Sequence, residues 1–270
     1  MRWRLREKKM DINAKVAYEM AVYEKDLVLI FNDELLAIIL HGSVVLNDFR
    51  EGKGDLDFVV IIKDAITDEQ TIGIENLHKN YRIKKHGQLL YQLEGTYYPI
   101  NVVKNPSNCK ASGFYIGTNI NNWKIINKSV NSMMDYKIIK DYGWFLKGES
   151  IRNYIYNPTR DELIEEIKNN YNNIKKNIEV YDSFSYAVAM SHWLIRSICY
   201  LKTNEIKSKT EASNWYIKEY PESKWKNIVN EYKIIRFPYE EYTEEKQRYI
   251  PGTIKSFFIE HEKELRRYFT

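Results

Sequence analysis

The chain changes character near residue 155. Before that point, short runs of β-branched residues alternate with polar loops. After it, apolar residues recur at helical spacing, helix-start signals repeat, and Gly and Pro are scarce. A chain of this kind is expected to fold as α+β. The expected N-terminal domain, residues 1–157, has a small mixed β-sheet with helices. The expected C-terminal domain, residues 158–270, is an α-helical bundle. With 270 residues there is ample chain for a buried core.

In the first part, residues 13–32 carry Val16, Met20, Val22, Leu27 and Ile30 at helical spacing. The apolar run Ala37 to Leu40 ends in His41-Gly42-Ser43. A polar loop then leads into Asp55-Leu-Asp-Phe-Val-Val-Ile-Ile62, which reads as a buried strand. Residues 67–77 read as a helix capped by Thr67, and 88–103 as strand-like, with Pro99 near the far end. Residues 105–130 are Asn-rich and read as loop. A helix is expected over 135–146, ending at Lys147-Gly148. In the second part, Thr159 with Glu162 and Ser208 with Glu211 are capping boxes, each opening a helix. Further helices are expected over 184–202, 225–235 and 254–269.

Composition removes several classes of function. With 44 % hydrophobic and 29 % charged residues, the chain is neither disordered nor fibrous. A net charge of +4, from 41 basic and 37 acidic residues, does not point to nucleic acid. The longest apolar run, residues 35–40, is far too short to span a bilayer. The basic start has no apolar leader region after it. Cys109 and Cys199 supply neither a disulfide framework nor a metal cluster, so a reducing, cytoplasmic setting is expected.

The chemistry concentrates in Gly42-Ser43, eleven intervening residues, and Asp55-Leu56-Asp57. Side chains two apart on a strand share a face, so Asp55 and Asp57 project together. Two such carboxylates repel each other unless a cation lies between them. Hard oxygen ligands suit Mg²⁺, which is usually completed by substrate phosphates. Gly42 permits close backbone approach, and the Ser43 hydroxyl can bond a phosphate oxygen. If the strand carrying Glu94 neighbours the Asp strand, three carboxylates converge. That set suits two-metal phosphoryl or nucleotidyl transfer, or a metal pair plus a base.

Leu40-His-Gly-Ser43 with Asp55-Leu-Asp57 resembles the nucleotidyltransferase superfamily signature. Arg196 to Lys209, followed by Glu211-Ala-Ser-Asn-Trp215, resembles the helical domain of the streptomycin and spectinomycin adenylyltransferases. The resemblance implies ATP as co-substrate and an active site in a cleft between the domains. Asp55 and Asp57 then hold two Mg²⁺ ions. Gly42 and Ser43 lie at the phosphates, Lys209 falls on a phosphate-contacting Lys, and Tyr232 on a nucleotide-contacting Tyr. Glu94 falls on the strand bearing the catalytic base. The implied reaction moves AMP to a hydroxyl of a small acceptor, an aminoglycoside of the spectinomycin or streptomycin type. Alternatives are a nucleotidyltransferase of protein or RNA, and a non-catalytic nucleotide-binding antitoxin or regulatory module. Intact Asp55, Asp57 and Glu94 argue against the last.

The chain departs from that family at the drug contacts. Counting back from Arg196 places Tyr186 and Ala189 where the family has an Asp and a His. Asp182 and His192 stand nearby but off register. The resemblance therefore carries the chemistry further than the acceptor. Lys209 at a helix start opposes the macrodipole, which makes sense if a triphosphate lies there. Arg50 and Lys53 could screen phosphate charge or stay solvated. Trp123 is expected to anchor a loop, and His192, with the stripe Trp193, Ile195 and Ile198, to lie in the bundle interior.

Overall fold

The computed structural model describes residues 12–83, 89–106, 113–117, 123–126, 131–178, 183–236 and 242–269. The chain forms two compact units. The first takes residues up to Leu40, Asp55–Ser129 and Trp144–Tyr154; the second takes His41–Gly54, Val130–Gly143 and Ile155–Thr270. The last crossing is at Tyr154/Ile155, and residues 41–54 and 130–143 belong to the helical unit. Each has polar bonds that explain this. Asp48 bonds Thr210 and Arg236, and the Met133 and Met134 amides donate to Glu166 at 2.7 and 3.1 Å. Among the described residues, no helix is long and apolar enough to cross a membrane.

The first unit is a six-stranded mixed sheet with helices. Its strands are β1 (Leu35–Leu40), β2 (Leu56–Ile62), β3 (Leu93–Pro99), β4 (Gly113–Ile116), β5 (Trp123–Ile126) and β6 (Trp144–Lys147), in the spatial order β5-β4-β3-β2-β1-β6. Only β2 and β3 run parallel, with α2 (Asp68–Ile83) in the connection between them. Phe58, Tyr97 and Phe114 stand on the face covered by α1 (Ile12–Phe31) and α2. Tyr23 and Phe31 of α1 and His78 of α2 pack edge-on, tilted or stacked against these rings. The Tyr97 hydroxyl bonds both Tyr23 and His78 at 2.7 Å, so the buried phenols are satisfied. Burial pushes His78 down to about 3, which keeps it neutral.

Gly95 lies opposite Phe58 in the β2–β3 register, and a Cβ there would stand 2.0 Å from the Phe58 carbonyl oxygen. The strand backbone would have to move to admit a methyl group. Gly95→Ala is expected to cost about 3 kcal/mol or more, at the upper end for overpacking. The check is a urea titration, in which an unchanged midpoint would refute the close approach.

Several elements differ from the sequence expectation. Residues 88–103 divide into β3 and the short helix α3 (Ile100–Lys104), because Pro99 has no amide proton to continue the ladder. Residues expected as loop form the hairpin β4–β5. The helix expected over 135–146 is α4 (Met133–Tyr142), stopped at Gly143, after which Trp144 turns into β6. Thr67 does cap α2 reciprocally with Gln70, but the helix runs on to Ile83.

The second unit is helical: α4, α5 (Arg160–Asn177), α6 (Phe184–Thr203), α7 (Lys209–Glu219), α8 (Lys226–Ile234) and α9 (Glu244–Arg266). Both expected capping boxes form, Thr159 with Glu162 and Ser208 with Glu211. The helix expected from residue 254 begins ten residues earlier, at Glu244. Ile195, Ile198, Tyr216, Val229 and Phe257 are buried in one apolar core, with half-buried Trp193 stacked on Phe258. Cys199 is buried there, and burial raises its thiol pKa, so it is no reactive nucleophile. Cys109 and Asp182 lie outside the described residues, and so does the Trp123 side chain.

Candidate active site

In the first unit, Asp57 and Glu94 are direct partners on the parallel strands β2 and β3. Each is half-buried, and the alternation along both strands sends them to the face opposite the one covered by α1 and α2. Asp55 lies one residue before β2, two from Asp57, and is half-buried as well. The condition set by the sequence, that the Glu94 strand neighbours the Asp strand, is therefore met.

A fourth group joins them that the sequence reading missed. The Tyr115 hydroxyl on β4 donates to Glu94 Oε1 at 2.5 Å. Its pKa is pushed up first by burial and then by Glu94, with Asp55 and Asp57 adding to the effect. Tyr115 therefore stays a neutral donor and fixes one oxygen of Glu94. Tyr115 lies in the Asn-rich stretch that the sequence reads as loop, so no sequence signal identified the residue. Buried Arg82 of α2 reinforces the same strand start. Its guanidinium donates to the Leu93 carbonyl at 3.2 Å and to the Gly117 carbonyl. The charge of Glu94 acts favourably on that guanidinium, against the larger effect of its burial.

Among the described residues, no group of three His, Cys, Asp or Glu side chains is placed to hold a metal ion. The Asp55 and Asp57 carboxylates are hard oxygen donors, the ligand type a divalent cation such as Mg²⁺ takes. Mg²⁺ commonly takes one or two protein carboxylates and completes its octahedron with water and substrate phosphate.

The remaining sequence candidates lie in the second unit. Gly42 has φ +62°, a left-handed conformation that glycine adopts without strain, and it opens a turn. Ser43 is half-buried in that turn, and its carbonyl accepts from the Asp48 amide at 2.9 Å. Lys209 is the exposed first residue of α7, directly after the cap Ser208. Arg196 donates from Nε to the Lys207 carbonyl at 3.1 Å, which steadies the segment entering α7. His192 is buried, and its pKa is held well below the usual value, first by burial and then by Lys209, Arg236 and Arg196. It is an interior histidine, as its helical position suggested.

Tyr232 departs from what the resemblance implies. It is 0 % exposed, and its hydroxyl bonds Thr253 Oγ1 at 2.8 Å. Its ring packs against Phe257 and His192. That burial favours a core role over a nucleotide contact. Tyr186 and Ala189, at the family's drug-contact register, occupy the first two turns of α6. Neither presents a carboxylate or an imidazole.

No family model matches the chain, and no curated protein matches it in sequence. Among solved structures, it is similar to a spectinomycin adenyltransferase from Enterococcus faecialis, whose crystal structure contains ATP and spectinomycin. The likeness has a TM-score of 0.66 and 18 % sequence identity, and it covers 90 % of this chain and 97 % of that one. At that identity the likeness is one of fold: this chain shares the fold of that adenyltransferase.

Proposed function

We propose that the chain is a nucleotidyltransferase that moves AMP from ATP to a hydroxyl of a small acceptor of the aminoglycoside or aminocyclitol type. The observation that carries this reading is the register of Asp57 against Glu94, with Asp55 two residues away and Tyr115 on Glu94. The fold neighbour, solved with ATP and spectinomycin, supports the choice of nucleotide and acceptor class.

In this reading Asp55 and Asp57 hold Mg²⁺. When bound, the ion neutralises phosphate charge and polarises the phosphoryl group. Ser43 donates to a phosphate oxygen, and Lys209 supplies a cation to the triphosphate. Glu94, oriented by Tyr115, accepts the proton of the acceptor hydroxyl. The freed oxygen attacks the α-phosphorus, the α–β bridging P–O bond breaks, and pyrophosphate leaves with the electron pair. Positioning and charge placement supply most of the rate. A cationic acceptor suits a face that carries three carboxylates.

Tyr186 and Ala189 favour a second reading of the acceptor. With no carboxylate or imidazole at those positions, the acceptor is something other than streptomycin or spectinomycin, a protein or RNA hydroxyl included. The test is pyrophosphate release from Mg·ATP across a panel of aminoglycosides, aminocyclitols, protein and RNA. Release that depends on a small cationic acceptor supports the first reading, and release with protein or RNA alone supports the second. No release from folded protein with any of them overturns both.

Lys209→Ala is expected to weaken Mg·ATP binding and to leave the melting temperature unchanged. A hydrogen bond to a charged group contributes about 1.5–3 kcal/mol, or roughly a 10- to 150-fold change in Kd. Calorimetric titration measures it, and an unchanged Kd would return Lys209 to a solvated helix start.

A further inference from the structure

The loop between β1 and β2 contains a carboxylate that the proposed reaction does not use. Asp48 is only 7 % exposed in its side chain, as is its partner Arg236 at the end of α8. A carboxylate buried to that degree needs partners to offset its lost hydration, and Asp48 has several. It accepts from the Thr210 amide at 3.1 Å and from the Thr210 hydroxyl at 2.6 Å. Arg236 Nη2 reaches its two oxygens at 3.1 and 3.4 Å, and also the Thr210 hydroxyl oxygen at 3.0 Å. Arg236 is itself fixed, because Nη1 donates to the Lys233 and Ile235 carbonyls and its amide donates to the Tyr242 hydroxyl. Arg50 stands at the rim, 3.3 Å from the Thr210 hydroxyl oxygen and 3.8 Å from Asp48.

The neighbours of these bonds give them their meaning. The Asp48 amide donates to the Ser43 carbonyl, and Thr210 directly follows Lys209. A continuous path therefore runs from Ser43 through Asp48 and Thr210 to Lys209. The same bonds occupy the start of α7. The Thr210 amide goes to Asp48 and the Glu211 amide to Ser208. Two amides of the first turn of α7 are held in this way, and the path fixes the backbone from which the Ser43 and Lys209 side chains extend.

We propose that Asp48 is a positioning residue for the triphosphate: with Arg236 it clips the His41–Gly54 loop to the first turn of α7 and so sets Ser43 and Lys209 relative to each other. This rests on the reading above, in which those two residues hold the phosphates. Asp48 touches no nucleotide in this scheme, and its charge is cancelled by Arg236. Its effect is therefore on nucleotide affinity, with little on the transfer step or on acceptor binding.

The experiment measures steady-state kinetics and Mg·ATP calorimetry on Asp48→Asn, on the double variant Asp48→Asn/Arg236→Gln, and on Lys209→Ala in parallel. The double variant leaves no uncompensated buried charge, so it decides the matter if the single variant fails to fold. The expected result is a KM for Mg·ATP raised about 10- to 100-fold, the scale of a misplaced binding group. The value of kcat at saturating ATP and the acceptor KM should stay near those of the unaltered protein. A folded double variant with unaltered ATP affinity, alongside a weakened Lys209→Ala, overturns the positioning role and leaves the functional reading standing. If Lys209→Ala is silent too, or the unaltered protein does not bind Mg·ATP, the phosphate assignment itself fails and the positioning role falls with it. A lowered melting temperature with every kinetic constant unchanged marks the clip as structural only and also overturns the proposal.

Discussion

Asp57→Asn abolishes acceptor-dependent pyrophosphate release while the protein stays folded. Asn matches Asp in shape, so β2 keeps its pairing with β1 and β3, and Phe58 on the next position keeps its place among the buried rings. The negative charge that a divalent cation needs is what disappears. An ion at a phosphoryl group supplies several kcal/mol of transition-state stabilisation. At about 1.4 kcal/mol per factor of ten, a fall of roughly 10³-fold or more is expected. The metal-free protein provides an independent check. Asn keeps the shape of the side chain at this half-buried position, so the melting temperature in chelator should change little. Near-normal turnover with Mg²⁺, or a marked loss of stability in chelator, would show that Asp57 serves the fold and holds no metal.

The legible features of this chain were local ones. Asp55 and Asp57 are two residues apart, so the strand period alone puts them together. Thr159, Ser208 and their glutamates declare helix starts within four residues, and both boxes form. What depended on pairing was not legible. Glu94 comes within reach of Asp57 only because β3 pairs parallel to β2 in one register, which no spacing in the sequence specifies. Strands β4 and β5 have four residues each, and their polar surroundings hid them, so Tyr115 was hidden as well. The pattern over 135–146 continued past Gly143, although the chain there leaves the helix for β6. The helical pattern was read only from residue 254, yet α9 begins at Glu244 and passes through Pro251-Gly252. The bond between Asp48 and Arg236 spans 188 residues, and neither position carries a local signal. Tyr232 shows a different limit, since a register match suggests a nucleotide contact while a core role, equally open from the sequence, agrees with the ring's burial.

Glu94→Gln separates a base from a metal ligand at one position. Gln keeps the length of the side chain and a carbonyl oxygen that can still accept from the Tyr115 hydroxyl, so the geometry at β3 and β4 is preserved. What it loses is the ability to take a proton. Positioned acid–base catalysis contributes about 10²–10⁴-fold, and kcat should fall by that amount with Mg·ATP binding nearly unchanged. A metal ligand behaves differently, because its loss weakens the ion and the nucleotide first. The charge of Glu94 could also hold a cationic acceptor, in which case the acceptor KM rises as well, so the nucleotide titration is the cleaner reading. In the proposed reading Glu94 is the base. Tyr115 occupies one oxygen of Glu94 as a neutral donor, which orients the second oxygen and reduces the room for an ion at the carboxylate. In the same reading Asp55 and Asp57 hold the metal, as one or two carboxylates commonly do for Mg²⁺. Loss of Mg·ATP binding in Glu94→Gln, matching the loss expected in Asp57→Asn, would make Glu94 a third ligand and leave Tyr115 as the group that orients it toward the metal.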